Sequence, residues 1–238
     1  MQIKWGSQAV RWFESASEYT GYNQNLAQIL KKYIPEGETL CDLGCGAALT
    51  DFALADYCSA ITCVDRSPEV IEHVRRRAAA QGVQNLEARC FDASKLTGSW
   101  DNVMALFFGG SRIDPRYFRL AQKRFVFVTH AQSKGGFGPE GHQVIKCSDI
   151  ATAKEYLESI GVKYEQEAFA LEYGQPLEDL EDARAFVRAY TRPMSEEELE
   201  RYLAEKLEKT GNEKWPYYLP KRKEFGVFVI RRDENAQL

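Results

Sequence analysis

The fold is decided in one short stretch, Leu40-Cys41-Asp42-Leu43-Gly44-Cys45-Gly46-Ala47-Ala48. Its first four residues predict a strand, and residues 48–57 predict a helix that follows at once. Gly44 and Gly46 allow a tight turn between the two elements and a close approach of the backbone to a ligand, because neither carries a Cβ. Since open α/β sheets bind ligands where a strand passes into a helix, this turn is the predicted place of a site.

Short apolar runs alternate with helical stretches along the rest of the chain. Residues 60–64 predict the next strand, and residues 67–81 predict a helix that Ser67 caps and Pro68 begins. Continuous apolar strands covered by helices on both faces indicate a parallel sheet, so the chain is predicted to be a doubly wound α/β protein. Further strands are expected at 85–91, 100–108, 123–129, 162–173 and 225–230. Further helices are expected within 1–35, at 149–160 and, on either side of Arg192-Pro193, within 178–210.

The composition is that of a globular protein, with 44% hydrophobic and 28% charged residues among 238. There are 31 Lys and Arg against 35 Asp and Glu, and the net charge of −4 disfavours a broad face for nucleic-acid phosphates. No signal-peptide core and no run of about 18 apolar residues is present, so we expect no membrane span and a cytoplasmic location. The six cysteines include no Cys-x-x-Cys pair and are expected to be buried, reduced thiols, with no metal site.

A carboxylate follows the turn at the offset that nucleoside-binding sites use. Asp65 ends the second predicted strand roughly 20 residues after Gly44, where a carboxylate accepts hydrogen bonds from both ribose hydroxyls. A nicotinamide site, the competing interpretation, needs a third glycine where this chain has Leu49, and Asp42 would repel its pyrophosphate. A ligand with a cationic centre and no phosphate fits these charges better.

Four motifs occur in order, each at the end of a predicted strand. They are Asp42-Leu-Gly-Cys-Gly46, Val64-Asp65, Phe91-Asp92-Ala93 and Trp100-Asp101-Asn-Val-Met-Ala-Leu-Phe-Phe108. Together they resemble the class I S-adenosylmethionine-dependent methyltransferases, closely over residues 36–130 and loosely elsewhere. The resemblance implies a Rossmann-like seven-stranded sheet, mostly parallel, whose antiparallel last strand residues 225–230 supply. It also implies an enzyme that transfers a methyl group from S-adenosylmethionine to an acceptor and leaves S-adenosylhomocysteine.

The same resemblance implies how the first two motifs bind the cofactor. The turn from Gly44 through Cys45 to Gly46 is implied to lie against the methionine and ribose parts. Asp42 is implied to lie near the cofactor amino group, and Asp65 to hold the ribose hydroxyls.

The later motifs are implied to enclose the other parts of the cofactor. Arg66 is implied to lie against the adenine, whose edge Asp92 and the amide of Ala93 would bind. Leu106 and Phe107 are implied to form the wall where the methionine end meets the acceptor.

The likeness further implies one methyltransferase domain over residues 1–238. Its segments are a helical lid at 1–35, a cofactor-binding core at 36–175, a helical insert at 176–220 and the last strand at 221–238. Tyr19, in a stretch that resembles the N-terminal lid of the family, is implied to touch the cofactor. The lid and the insert would close over the pocket and set specificity for the acceptor.

The acceptor is expected to be a small molecule. After the fourth strand the chain has Leu106-Phe-Phe-Gly-Gly110, in place of the Asn/Asp-Pro-Pro-Tyr/Phe of enzymes that methylate nucleic-acid bases. Where the acceptor needs a general base, the candidates are His130 at the end of the fifth strand and His142 after a glycine-rich loop. An RNA or protein methyltransferase and a non-catalytic module that binds S-adenosylmethionine remain as alternatives, and a homodimer is left open.

Overall fold

The computed structural model describes residues 7–132, 136–143 and 149–235 of the chain. The helices are α1 (Ser7–Thr20), α2 (Tyr22–Leu30), α3 (Leu49–Leu54), α4 (Pro68–Gln81), α5 (Ile150–Ser159), α6 (Leu180–Tyr190) and α7 (Glu196–Lys206). The strands are β1 (Thr39–Leu43), β2 (Ala60–Asp65), β3 (Leu86–Cys90), β4 (Trp100–Leu106), β5 (Ala121–His130), β6 (Glu165–Glu172), β7 (Gln175–Leu177), β8 (Glu208–Lys209), β9 (Tyr217–Leu219) and β10 (Arg222–Arg231). In these ranges no helix combines the length and the apolar character that crossing a membrane requires.

Seven of the strands form one sheet in the order β3-β2-β1-β4-β5-β10-β6. The strand β1 pairs in parallel with β2 and β4, and the pairs β2–β3 and β4–β5 are parallel as well. The strand β10 runs antiparallel to β5, with Phe225 opposite His130 and Val227 opposite Val128. The predicted doubly wound, mostly parallel sheet with an antiparallel last strand is confirmed.

The central strands are apolar because they are buried on both faces. Val103, Met104 and Ala105 of β4 have no exposed surface. The rings of Phe127 on β5 and Phe228 on β10 stack with their centroids 4.7 Å apart. Burial of each large apolar side chain contributes about 1.5–3 kcal/mol relative to leaving it in water, so this core holds the strands in register. As β1 to β4 are parallel, their carboxyl ends meet at one edge of the sheet.

Local sequence sets where the helices at this edge begin. Ser67 accepts a hydrogen bond from the first turn of α4, and Pro68 occupies its first position, as predicted. The helix α3 is shorter than the predicted 48–57. It begins at Leu49 because Ala48 takes a left-handed conformation with φ 54°, and it ends at Leu54.

The chain divides into two compact units. The larger unit comprises residues 23–131, 148–169 and 224–238, and it contains most of the seven-stranded sheet. The smaller unit comprises residues 1–22, 132–147 and 170–223. The single domain over residues 1–238 stays a prediction.

The smaller unit has a hydrophobic core of its own. Trp12 of α1 packs edge-on against Phe186 of α6, with the ring centroids 5.3 Å apart. The indole Nε1 of Trp12 donates to Oδ1 of Asp182 at 2.9 Å, and Arg11 donates to the same buried carboxylate. The two helices predicted around Arg192-Pro193 are α6 and α7. A three-stranded sheet in the order β7-β9-β8, which the sequence did not predict, completes the unit.

The cysteines follow the prediction of buried thiols only in part. Cys41, Cys58 and Cys63 are buried, and Cys45 is half-buried. Cys90 is exposed, because it ends the edge strand β3, which has a neighbour on one side only. Cys147 lies outside the described residues.

Candidate functional site

The glycine turn after β1 has the left-handed backbone that its sequence predicts. Gly44 and Gly46 have φ values of 73° and 53°. The carbonyl of Val64 accepts hydrogen bonds from the N–H groups of Gly44 (2.7 Å) and Cys45 (3.1 Å), which fixes the turn against the end of β2. A Cβ on Gly44 would overlap with the ring of Phe108, so the position requires glycine both for its φ and for space.

Asp65 connects the glycine turn to the start of α4. Its Oδ2 accepts a hydrogen bond from the N–H of Gly46 at 3.2 Å, and its Oδ1 accepts one from the N–H of Ser67 at 2.9 Å. A carboxylate has about four acceptor positions, so two remain for a ligand hydroxyl pair. The structure thus brings the first two predicted motifs into direct contact.

Asp42 lies at the base of the turn, and a second carboxyl group faces it. The side chains of Asp42 on β1 and Asp51 on α3 are each only 1% exposed. Oδ1 of Asp42 and both carboxyl oxygens of Asp51 lack a hydrogen-bond partner of normal geometry among the described residues. Burial raises the pKa of Asp51 to about 7, and burial together with the charge of Asp51 raises the pKa of Asp42 well above its usual range.

Asp92 and its neighbours follow β3 at the same edge of the sheet. Asp92 caps the short 3-10 helix Ala93–Lys95, and its Oδ1 accepts hydrogen bonds from the N–H (2.9 Å) and hydroxyl (2.7 Å) of Ser94. These hydrogen bonds lower the pKa of Asp92. Ala93 is buried, whereas Arg66 and Asp92 are exposed and leave their polar groups accessible to a ligand.

The end of β4 supplies an aromatic wall. After Leu106, the residue Phe107 adopts a left-handed conformation with φ 56°, and its N–H donates to the carbonyl of Val128 at 2.9 Å. The ring of Phe107 packs on the imidazole of His130, with the centroids 4.8 Å apart. His130 is therefore placed at the rim formed by β4 and β5, next to the residues of the fourth motif.

Two predicted residues, Tyr19 and His142, belong to the smaller unit. Tyr19 is 37% exposed and packs on Tyr218, with the ring centroids 4.8 Å apart. His142 lies with its Nε2 3.4 Å from Oε1 of Glu198 and its Nδ1 2.9 Å from the carbonyl of Pro193. The contact of Tyr19 with the cofactor and the catalytic role of His142 stay predictions.

Sequence reasoning missed Asp51 and the contact of Phe108 with Gly44. An aspartate in the first turn of a helix is ordinarily explained by the helix dipole, so Asp51 gave no signal of its own. The only available signal was its position between Thr50 and the apolar residues of α3, on the side that the sheet buries. Phe108 gave a signal only as part of an apolar run, because its contact with Gly44 arises from the fold.

The edge of the sheet at the carboxyl ends of the parallel strands therefore carries carboxyl groups. A phosphate site would carry hydrogen-bond donors there. Three aspartates, Asp42, Asp65 and Asp92, lie at or just beyond the carboxyl ends of three neighbouring parallel strands, β1 to β3. Carboxylates bind hydroxyl, amino and ammonium groups and repel phosphate. The buried Oδ1 of Asp42, which has no hydrogen-bond partner of normal geometry among the described residues, lies beside the turn and fits a nucleoside with a cationic, amino-acid-like extension.

Solved structures define the class of fold. The chain is similar to a SAM-dependent methyltransferase from Aquifex aeolicus, with TM-score 0.57 and 13% identity over 96% of this chain and 99% of that one. It is also similar to a precorrin-6y C5,15-methyltransferase from Geobacter metallireducens (TM-score 0.51, 12% identity, 87% of each chain). The third similar structure is that of magnesium protoporphyrin IX methyltransferase from Synechocystis with bound SAM (TM-score 0.50, 13% identity, 96% of this chain and 85% of that one). At these identities the likeness shows the class I methyltransferase fold.

Part of the chain also matches a model of a protein family. Residues 40–122 match the model of a family described as a methyltransferase domain. A search of curated protein sequences gave no significant match. The predicted fold is confirmed, and residues 40–122 are similar to a methyltransferase domain, which supports the predicted family, enzyme class and cofactor.

Proposed function

We propose that this protein transfers the methyl group of S-adenosylmethionine to a small-molecule acceptor at the edge of the sheet formed by β1 to β5. The observation that carries the proposal is the contact between the glycine turn and Asp65, beside the buried carboxyl of Asp42. The contact lies in the segment that matches the methyltransferase-domain family.

Each part of the cofactor has a matching group in the larger unit. The turn from Gly44 through Cys45 to Gly46 lies against the methionine and ribose parts, with Asp42 near the ammonium group. The two free acceptor positions of Asp65 take the ribose hydroxyls.

The adenine is held by the residues that follow β2 and β3. Asp92 accepts from the adenine amino group through the oxygen that Ser94 does not occupy, and the amide of Ala93 donates to the ring. Arg66 lies against the adenine face, and Leu106 and Phe107 form the wall at the other end of the cofactor.

The protein's task is alignment and exclusion of water. The bound cofactor supplies a methyl group on a sulfonium, which already has a good leaving group. Phe107 stabilises positive charge near its ring face, by on the order of 0.5–2 kcal/mol. Its fixed left-handed backbone and its contact with His130 hold that face in one orientation. Such alignment accounts for most of the catalysis expected of a methyl transfer.

His130 is the general-base candidate that lies at the proposed site. Its imidazole packs on Phe107 at the end of β5, so a hydroxyl or acidic carbon of an acceptor placed against this wall is within its reach. An acceptor that is a thiolate or a free amine needs no base, and His130 then only positions the wall.

Three features favour a small, partly apolar acceptor. The rim after β4 is formed by aromatic residues and by Gly109 and Gly110, both with φ 74°. The net charge of −4 disfavours a phosphate backbone. The precorrin and magnesium protoporphyrin enzymes that share this fold are named for small-molecule substrates.

The proposal is tested with S-adenosylmethionine that carries a labelled methyl group. The protein is incubated with it and with separated small-molecule, RNA and protein fractions. We expect label in the small-molecule fraction together with an equal amount of S-adenosylhomocysteine. Label in RNA or protein would replace the small-molecule proposal with the macromolecular alternative. Tight binding without product in any fraction would identify a non-catalytic binding module.

A further inference from the structure

The feature that the proposed function leaves unexplained is the second buried carboxyl group beneath the glycine turn. Asp51 is 1% exposed and lies within hydrogen-bonding reach of Asp42. The Cys63 thiol and the backbone of Asp51 also act on its carboxyl group, but neither meets normal hydrogen-bond geometry. A buried carboxyl group without partners costs several kcal/mol when it is charged, so an apolar residue would be the stable choice at this position of α3.

Within the described residues no cation is found to act on either carboxyl group, and the nearest in effect, Arg89, acts on the neighbouring Cys41. The groups that act on the two carboxyls from the neighbouring elements are acidic groups or thiols: Cys41 on β1, Cys45 in the turn, and Cys63 and Asp65 on β2. Burial raises the pKa values of the Cys41 and Cys63 thiols, which are therefore neutral near pH 7. Asp65 is anionic and already accepts two backbone hydrogen bonds, so it adds repulsion and cannot donate.

Two buried carboxyl groups in contact do not both ionise near neutral pH, because like charges a few ångströms apart in a medium of low polarity repel strongly. One proton held between them converts the repulsion into an O–H···O hydrogen bond. It also adds a strong O–H donor to oxygens that otherwise have only the weak contacts with the Cys63 thiol and the backbone of Asp51. The pair then carries a single negative charge directly beneath the turn.

We propose, on the basis of the proposed function, that Asp42 and Asp51 hold one proton in the free protein and release it to solvent when the ammonium group of the cofactor binds beside the glycine turn. The O–H bond of the pair breaks, the proton passes to water, and the ammonium cation replaces it as the partner of the second negative charge. No other bond changes. Asp42 approaches the ammonium, and Asp51 acts through Asp42 as a positioning residue.

The proposal has two consequences for recognition. Affinity for a cofactor with an ammonium group increases with pH, because the free protein binds one proton more than the complex does. Below the pKa of the free pair the increase is up to roughly tenfold per pH unit. A nucleoside without the amino-acid part cannot displace the proton, so its affinity does not depend on this pair.

The test is calorimetric binding of S-adenosylhomocysteine at pH 8, above the folded pKa of Asp51, in one buffer of small and one of large ionisation enthalpy. The difference in heat gives the number of protons released, which we expect to be close to one. The matched ligand is 5′-methylthioadenosine, which has the same nucleoside and thioether without the amino-acid part, and we expect it to release none. Release of no proton by S-adenosylhomocysteine, or of equal numbers by both ligands, would overturn the proposal.

A variant identifies the source of the proton. Asp51→Asn gives Asp42 a permanent N–H donor, so the variant is expected to bind S-adenosylhomocysteine with no proton release and with an affinity that is constant between pH 6 and 8. The control is Asp56→Asn, an exposed carboxylate just after α3, which is expected to behave as the wild type. Proton release that persists in Asp51→Asn would assign it to another group, such as His130, and contradict the proposal.

The ligand comparison in the wild-type protein stands even if the variant fails to fold. The experiment also separates this inference from the proposed function. Binding without proton release leaves the cofactor site in place and removes only the shared proton. No binding of S-adenosylhomocysteine at all would overturn the proposed function and, with it, this inference.

Discussion

The N–H of Gly46 donates a hydrogen bond to the Oδ2 of Asp65 at 3.2 Å, and this contact joins the turn after β1 to the end of β2. Two residues that are far apart in sequence thus form one binding surface. The other oxygen of Asp65 accepts from the N–H of Ser67 at 2.9 Å, so the carboxylate is oriented from both sides before any ligand arrives. Such preorganisation reduces the entropy lost on binding.

The first prediction concerns this carboxylate. Asp65→Ala is expected to weaken the binding of S-adenosylhomocysteine by about 1–3 kcal/mol, because charge-assisted hydrogen bonds to the ribose and the support of Gly46 are lost together. Isothermal calorimetry measures the change. Asp233→Ala, an exposed carboxylate near the end of the chain, is the control and should bind as the wild type. Equal affinities for Asp65→Ala and the wild type would exclude Asp65 from the site.

The second prediction compares two glycines with nearly the same backbone. Gly37 and Gly44 have φ values of 77° and 73°, so alanine at either position costs about 1–2 kcal/mol of backbone strain. A Cβ at Gly37 meets nothing within 4 Å, whereas at Gly44 it overlaps with Phe108. Gly44→Ala is therefore expected to lose more unfolding free energy in urea than Gly37→Ala, and to lose cofactor affinity as well. Equal losses would show that Phe108 moves aside without cost.

The third prediction follows from the raised pKa values of the Asp42 and Asp51 carboxyls. Near pH 4 these groups are protonated in the folded protein, and the pair has no charge to desolvate. As the pH rises through about 7, the folded pKa of Asp51, ionisation becomes costly in the folded state, whereas the unfolded chain ionises freely near pH 4. The ligand-free wild type therefore loses stability relative to Asp51→Asn as the pH rises from 4 to 8, by up to about 4 kcal/mol.

Thermal or urea unfolding of both proteins across this pH range measures the effect. Asp56→Asn again serves as the control, with a difference from the wild type that does not change with pH. A constant difference between the wild type and Asp51→Asn would show that the Asp51 carboxyl is not held protonated by the fold.

The fourth prediction concerns the smaller unit. Asp182 is 9% exposed and accepts hydrogen bonds from Arg11 and from Trp12 Nε1, so Asp182→Ala removes the buried acceptor of both donors while Arg11 keeps its contact with Glu178. We expect a loss of about 2–4 kcal/mol in the stability of this unit. Glu178→Ala removes the exposed partner of the same arginine and should cost at most about 1 kcal/mol. Urea unfolding, followed by tryptophan fluorescence, measures the unfolding free energy of both variants. Similar losses in Asp182→Ala and Glu178→Ala would show that the buried contacts of Asp182 add no stability beyond that of the exposed ion pair.

The sequence predicted the sheet well because its central strands leave little choice. A run that is apolar throughout, such as Val103 to Phe108, indicates a strand whose two faces are both covered. The glycine turn fixes where the first strand ends. The strand β10 was predictable as a partner for β5 because its run of apolar residues is equally continuous. The three-stranded sheet of the smaller unit was not predictable, since its strands have three, two and three residues, too few to show a period of two.

The site was predictable where a residue follows a strand, and not where it depends on packing. Asp42, Asp65 and Asp92 are marked by their positions at strand ends, which the chain order reveals. Asp51 meets Asp42 only because α3 folds back onto β1, and along the chain only its place among the apolar residues of α3 distinguishes it from a helix-dipole aspartate. The packing of His130 on Phe107 likewise requires the register of β4 and β5.

Thermal unfolding with S-adenosylmethionine, S-adenosylhomocysteine, NAD and no ligand tests the central claim most directly. At a hundred times the dissociation constant a ligand adds about 2.7 kcal/mol, which for a chain of this size raises the midpoint by about 5–11 °C. We predict such a rise with both adenosyl ligands and none with NAD. A rise with NAD alone, or no rise with either adenosyl ligand, would contradict the assignment of the glycine turn and Asp65 as the cofactor site.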